Sequence, residues 1–505
     1  MSINAYTIKQ KPTTSNASIT LLTWIETSFS IIKLSYVSCI LAMLEFGVMA
    51  FFIHGNPGTQ AAILFDYFRL YSNQEPKIMC LHKHLFSIIT ETGKRQNSLL
   101  VFLLLSFYLI IPGQANSTEI EPGISDTHIR IGAIMPLTGD NQYYGIGMKK
   151  GIDAALANQV VQGRKIEFKA MDDSGDSVTT IQVANQIIDE GIFLMLGNVG
   201  ALPTLQLLPV LRVNQIPSIG FYTLGDVSNK DTLNYRPNTS DEVATLITDM
   251  TETGIKPAQI CIFAQNDVFG VAAINGFKNG LKNFPEMQPA VDKLDHILDM
   301  TMGGINPALN GLGPIGFYPH DTIFIRDAYR SLKDWERQSG QPCRFVILAA
   351  IPKVAADFIA YSHYKKESWS FGAISATAAG YALGKNLSAY YLDDKIIVTQ
   401  VVPNLDASLP IVKEARAVLG NDFNHINLEG YIVGRLFLAI LKSMKEPITR
   451  DNFIKTARLQ PFDLGGLKVE FNQGNSGSKL VSLNLLQKNT YQTFVPNDFS
   501  IALKP

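Results

Sequence analysis

From residue 127 onward, apolar residues fall in short runs separated by longer stretches where they recur at helical spacing. Residues 128–136 (HIRIGAIMP) form such a run, and 145–159 have the three-to-four spacing of a helix. Residues 165–171 (KIEFKAM) alternate as a half-buried strand does, and 177–189 are again amphipathic. Residues 193–197 (FLMLG) form a buried type of strand, 203–213 form a helix with Pro203 in its first turn, and 217–221 form another short strand. Strand followed by helix, repeated, predicts a parallel sheet covered on both faces.

A second series starts after Asn234-Tyr235-Arg236. It predicts a helix over 241–253, a strand over 259–264 (QICIFA) and a helix over 270–283. After a less regular region come 345–350 (FVILAA), a helix from 354 to about 364, and 395–402 (KIIVTQVV). The expected fold class is α/β, with two doubly wound Rossmann-like lobes and a cleft between them. In open parallel sheets, ligands settle at the carboxyl ends of the strands. The loops after Pro136, Gly197, Phe221 and Ala264 are therefore the expected places of contact.

The front of the chain has a different pattern. Residues 99–111 are thirteen apolar or small residues, preceded by Lys94 and Arg95 and followed by Pro112-Gly113-Gln114-Ala115. A basic flank, a short apolar core and a small-residue exit make a secretory signal. The stretch is short against the roughly twenty residues of a membrane span. Cleavage is expected between Ala115 and Asn116, which predicts a secreted, periplasmic protein. A chain starting at Met79 would carry a signal over 79–115, leaving 1–78 as an upstream extension or a membrane segment. Residues 31–53 are long enough to span, but Lys33 and Glu45 fall inside them, and a carboxylate is costly at bilayer depth. If that segment is retained, the product is membrane-anchored with a periplasmic domain.

Composition excludes more than it suggests. The 505 residues are 46% hydrophobic, enough for two cored units, and the net charge is -1. With no basic stripe, no nucleic-acid partner is expected. Removal of the front end takes Cys39 and Cys80 with it. Cys261 and Cys343 remain, either as two buried thiols or as a disulfide. Gly145-x-Gly147-x-x-x-Gly151 lacks dinucleotide spacing and is better explained as small residues packing a helix on a sheet. Asp172-Asp173-Ser174-Gly175-Asp176 lacks the calcium-loop pattern and is expected as a solvated turn. No nucleophile elbow, phosphate loop or zinc spacing is present, so neither an enzyme nor a cofactor or metal is expected.

Seven segments carry a resemblance, in order along the chain: 129–156, 197–211 (GNVGALPTLQLLPVL), 216–226 (IPSIGFYTLGD), 234–243 (NYRPNTSDEV), 265–270 (QNDVFG), 396–403 (IIVTQVVP) and 428–436 (LEGYIVGRL). They resemble the periplasmic Leu/Ile/Val-binding family of ABC-transporter receptors. The resemblance implies a type I periplasmic-binding-protein fold with a three-segment hinge. Lobe one would comprise 126–241 plus 402–458, and lobe two 242–401 plus 459–505. It also implies capture of a small molecule, a branched-chain or other amino acid, by hinge closure and delivery to an ABC-transporter permease. The alternative is a membrane-coupled sensory ligand-binding module.

An α-amino acid needs donors for its carboxylate and acceptors for its ammonium. Gly197–Gly200 before a helix offers backbone N–H groups at a positive helix end, which suits a carboxylate. The expected contacts there are Asn198, Val199, Gly200 and Ala201, although the family's hydroxyls are replaced by Ala201 and Pro203. The resemblance gives Tyr222 and Thr223 the ammonium group, and Tyr143 and Tyr144 an aromatic wall. It implies Asp267 and Phe269 as lobe-two contacts, with Ser375 near the family's acidic ammonium partner. Ile351-Pro352 stands where the family often has a tyrosine, which argues for altered specificity.

Overall fold

The computed structural model describes residues 49–54, 60–65, 121–222, 230–302, 309–392, 395–445, 447–472 and 474–494. The expected signal segment lies outside them. Met49–His54 and Gln60–Phe65 form an antiparallel hairpin in a unit separate from residues 116–505. Residues 49–53 of the long apolar stretch are thus strand, and the rest of that stretch is outside the described residues. Among the described residues no helix is long and apolar enough to cross a membrane.

The first series alternates as expected. It comprises β1 (His128–Met135), α1 (Gln142–Leu156), β2 (Val160–Val161), β3 (Arg164–Asp172), α2 (Ser177–Asp189), β4 (Met195–Leu196), α3 (Ala201–Val213), β5 (Ser218–Ile219) and β6 (Thr232–Leu233). The sheet order is β2-β3-β1-β4-β5-β6, parallel apart from the β2–β3 pair. β1 lies in the interior of the sheet, and Ile129, Ile131, Ala133, Ile134 and Met135 are all buried. A strand covered on both faces must be apolar almost throughout, which is why this run does not alternate.

The second series contains α4 (Thr239–Glu252), β7 (Ile260–Asn266), α5 (Val268–Leu281), α6 (Gln288–Met302), β8 (Ile315–Pro319) and α7 (Arg326–Ser339). It continues with β9 (Phe345–Ala349), α8 (Pro352–Tyr364), β10 (Ser370–Ala373), α9 (Ser375–Ala378), α10 (Ala382–Ser388) and β11 (Ile396–Gln400). β8 and α7 fill the region that was expected to be less regular. Cys261 of β7 and Cys343, just before β9, form a disulfide with Cα atoms 5.8 Å apart. This resolves the choice between thiols and a bond, and such a cross-link typically stabilises by about 2–4 kcal/mol.

The chain then returns to the first sheet with α11 (Pro410–Leu419), α12 (His425–Ser443) and α13 (Arg450–Leu459). α1 and α12 approach until backbone meets backbone. A Cβ on Gly151 would stand 2.1 Å from the Asn427 carbonyl oxygen, and one on Gly430 would stand 2.4 Å from that of Met148. The glycine series of α1 is therefore a helix-packing face, turned mainly against another helix instead of the sheet.

β12 (Phe462–Asp463) and β13 (Lys468–Val469) follow, then β14 (Ser482–Gln487) and β15 (Thr490–Thr493). The second sheet runs β8-β7-β9-β10-β11-β14-β15, with β14 and β15 antiparallel. Residues from 459 onward were expected in lobe two, but Phe462, Leu464, Leu467, Val469 and Phe471 pack in the first sheet's core. Residues 476–478 run beside 234–236, with Gly477 N–H on Asn234 O and Ser478 N–H on Tyr235 O. The chain changes sheets only after that pairing. The short hairpin lacked a long apolar run to mark its allegiance.

Candidate functional site

One wall of the cleft is built at the carboxyl ends of β1, β4 and β5. Beyond β4 the chain pairs with the loop after β5: Gly200 N–H donates to Tyr222 O at 3.0 Å, and Tyr222 N–H to Asn198 O at 2.8 Å. The Asn198 side-chain oxygen accepts from Ile134 N–H at 2.9 Å, which fixes this loop against β1. Gly200 then caps α3 with φ at 109°, a conformation open to glycine, and supplies no side chain to the first turn. Ala201 and Leu202, the first two residues of α3, have no carbonyl within the helix to bond. Their N–H groups make a positive, donor-rich edge suited to an anionic group. Tyr144 and Tyr222 close the wall with ring centroids 5.3 Å apart.

The facing wall is a chain of linked polar groups at the ends of β7 and β8. Asp267 caps α5 by accepting from Phe269 N–H at 3.0 Å and Gly270 N–H at 3.2 Å. Its second oxygen accepts from Gln265 Nε2 at 2.6 Å and pairs with His320 Nδ1 at 2.9 Å. His320 Nε2 lies 3.1 Å from Asp321. The Tyr318 hydroxyl donates to Gln265 Oε1 at 2.5 Å and accepts from Ile351 N–H at 3.2 Å. The hydrogen bond to Asp267 raises the His320 pKa, partial burial opposes that shift, and the charges of Asp267 and Asp321 add to it.

Between the walls lies a cavity of about 90 Å³, edged by Pro136, Asn141, Ser177, Leu202, Phe269 and Ile351 besides the groups above. A larger open cleft continues outward past Tyr143, Asp140, Asp176, Lys353, Lys385 and Tyr381. Among the described residues no group of three acidic, histidine or cysteine side chains could hold a metal. The acidic turn after β3 has a structural role: Asp172 accepts from Leu137 N–H at 2.7 Å, and Asp176 caps α2.

The structure brings Tyr144, Val199, Gly200, Ala201, Tyr222, Asp267 and Phe269 together around this cavity. Tyr143 lines the outer cleft, and Asn198 braces the loop from behind. Thr223 lies outside the described residues. Ser375 is not on the cavity; it is buried at the crossing between sheets, bonded to Arg236 and Glu242. Sequence reasoning missed His320 and Asp321 on the lobe-two wall, and it pointed to the loop after Ala264 and to Ile351-Pro352 without naming Gln265 or Ile351 as contacts. The signal for His320 was the run Gly316-Phe317-Tyr318-Pro319, which ends a parallel strand immediately before it.

A two-lobed α/β protein with a small polar cavity between parallel sheets is a type I periplasmic-binding-protein fold, and solved structures agree. A possible leucine/isoleucine/valine-binding protein from Rhodopirellula baltica superposes with a TM-score of 0.62 at 23% identity, covering 76% of this chain and 99% of that one. A branched-chain amino acid ABC transporter protein from Thermus thermophilus, with bound valine, gives 0.56 at 13% identity, over 73% and 96%.

Residues 128–284 match the family model described as periplasmic binding protein. Leu/Ile/Val-binding protein homolog 3 of Brucella melitensis is 27% identical over 157 residues, 30% of this chain and 43% of that protein. The match thus spans less than half of that relative. Over residues 128–284, which hold the first five of the seven segments, this chain is similar to periplasmic binding proteins, a Leu/Ile/Val-binding protein homolog among its relatives, and it has the type I periplasmic-binding-protein fold.

Proposed function

We propose that the protein is an extracytoplasmic receptor that closes on a small zwitterion of the amino-acid class and delivers it to an ABC-transporter permease. The observation that carries this reading is the opposition of two unlike walls across one cavity. The α3 end, with the N–H groups of Ala201 and Leu202, suits a carboxylate. Asp267 and Asp321 suit an ammonium, and among the described residues no lysine or arginine lines the inner cavity to compete with it. Leu202, Pro203, Phe269 and Ile351 leave an apolar margin for a side chain.

The periplasmic relatives and the secretory pattern before Asn116 support an extracytoplasmic location. Among the described residues that line the cavity, no nucleophile is hydrogen-bonded to a base, which favours binding over catalysis. A thermal-shift panel of amino acids, their amides and simple carboxylates tests the reading. Stabilisation by one or more amino acids, and by neither amides nor carboxylates alone, is expected. No stabilisation by any amino acid at millimolar concentration overturns it.

A further inference from the structure

The crossing between the sheets holds a buried ionic cluster that touches the cavity from behind. Arg236 pairs with Glu429 of α12 at 3.0 Å, and both side chains are 2–3% exposed. The same guanidinium donates to Ser375 Oγ at 2.9 Å and lies over the Tyr222 ring, 4.4 Å from its centroid. Glu242 of α4 accepts from Ser375 N–H at 2.8 Å, from Ser375 Oγ at 3.0 Å and from the Thr399 hydroxyl. Burial raises the Glu429 pKa, and the charge of Arg236 opposes the rise.

Ser375 opens a turn of lobe two that does not pack with lobe two alone. Ala376 and Ala379 belong to the core of the first sheet, and the Tyr144 hydroxyl donates to Ala376 O at 2.6 Å. Ala379 is held at φ 46°, the left-handed region that favours glycine, so its surroundings over-determine it. The far end of the turn is tied back to lobe two by the Tyr491 hydroxyl, which donates to Gly380 O. Two residues of lobe one, Arg236 and Tyr144, therefore grip a strained turn of lobe two. Tyr144 is itself cavity wall, and Arg236 backs Tyr222, which is the rest of that wall.

We propose that the Ser375–Gly380 turn is a seated pivot for lobe closure, and that Arg236 and Tyr144 are the positioning residues that hold it. This rests on reading the protein as a receptor that closes. A ligand pressed on Tyr144 and Tyr222 bears on the same two grips, which ties occupancy of the cavity to the set of the lobes.

The test is the interlobe distance distribution of the full chain without ligand, by pulsed electron paramagnetic resonance. Labels on non-natural residues at Val213 and Tyr364 suit it, since both positions are exposed. Ser375→Ala removes one hydroxyl and one grip, and Arg236→Lys keeps the charge but loses the fork. Both variants are expected to broaden the distribution toward longer distances. Tyr144→Phe, which removes only the hydroxyl on Ala376 O, is expected to do the same and serves if Ser375→Ala does not fold. A purely structural role would lower the melting temperature and leave the distribution of folded protein unchanged. Native distributions in the folded variants overturn the proposal. Because no ligand is added, failure to bind an amino acid would count against the proposed function alone.

Discussion

Two histidines, one buried in lobe one and one at the cavity rim of lobe two, have surroundings that drive them in opposite directions. His425 opens α12 in lobe one, 5% exposed, with its ring 4.5 Å from that of Tyr491. Burial alone pushes its pKa down to about 3, so it stays neutral. His320 stands at the rim of lobe two between Asp267 and Asp321, which favour its charged form. Lobe one thus offers a wall whose polarity is fixed by backbone, and lobe two a wall whose charge depends on titrating side chains. On the proposed function, a ligand with both signs of charge fits between them, the helix end setting the geometry of recognition and the acidic chain its electrostatics.

Four changes probe this contrast, the largest effect first. Asp267→Asn should keep the cap on α5, because asparagine caps about as well as aspartate. It should still weaken amino-acid binding about a hundredfold, roughly 2.7 kcal/mol, by removing a charged partner. Titration calorimetry reads the loss, and an unchanged affinity would place the ammonium elsewhere.

The neutral histidine of lobe one makes a prediction about acid. Its folded pKa lies below its ordinary 6.5, so its contribution is present above about pH 6.5 and is lost as pH falls toward 3. Between pH 7 and pH 5 the loss is about 2 kcal/mol. His425→Gln should remove that share of the slope, measured by urea unfolding at both pH values.

Ala201→Ser places a hydroxyl beside the bare first turn of α3. It should tighten amino-acid binding by about 1 kcal/mol, the net worth of one added hydrogen bond. Last, the raised pKa of His320 gives the opposite sign to that of His425. Its stabilising contribution is fully present below its ordinary 6.5 and is lost as pH rises through the folded value. Ligand affinity should move the other way, rising with pH as His320 ceases to neutralise Asp267. His320→Gln should flatten that rise.

The fold was legible where periodicity was strong. β1, β7 and β9 stand out as apolar runs and β3 as an alternating one, with α1 and α2 as amphipathic stretches and α3 as a helix marked by its early proline. β8 and α7 were not legible, because β8 is five residues ending in proline and α7 is polar on all but one narrow face. Losing β8 meant losing His320 and Asp321 with it. On lobe one the glycine turn before α3 was readable, since a helix end with no capping side chain leaves its signature in the sequence. Ser375 was misplaced because adjacency in sequence to a strand end does not reveal which lobe packs around the turn. The side chains of Arg236 and Glu242, more than a hundred residues earlier, and of Thr399 explain its position.

The two-wall arrangement stands or falls on whether both charges of the ligand are needed. Calorimetric titration of the protein with an amino acid from the thermal-shift panel, and with the matching amine and the matching carboxylic acid, measures this. The predicted result is saturable one-to-one binding of the amino acid, with neither single-charge analogue binding within a hundredfold of it. Equal binding of the amine or of the acid would contradict the two-wall arrangement.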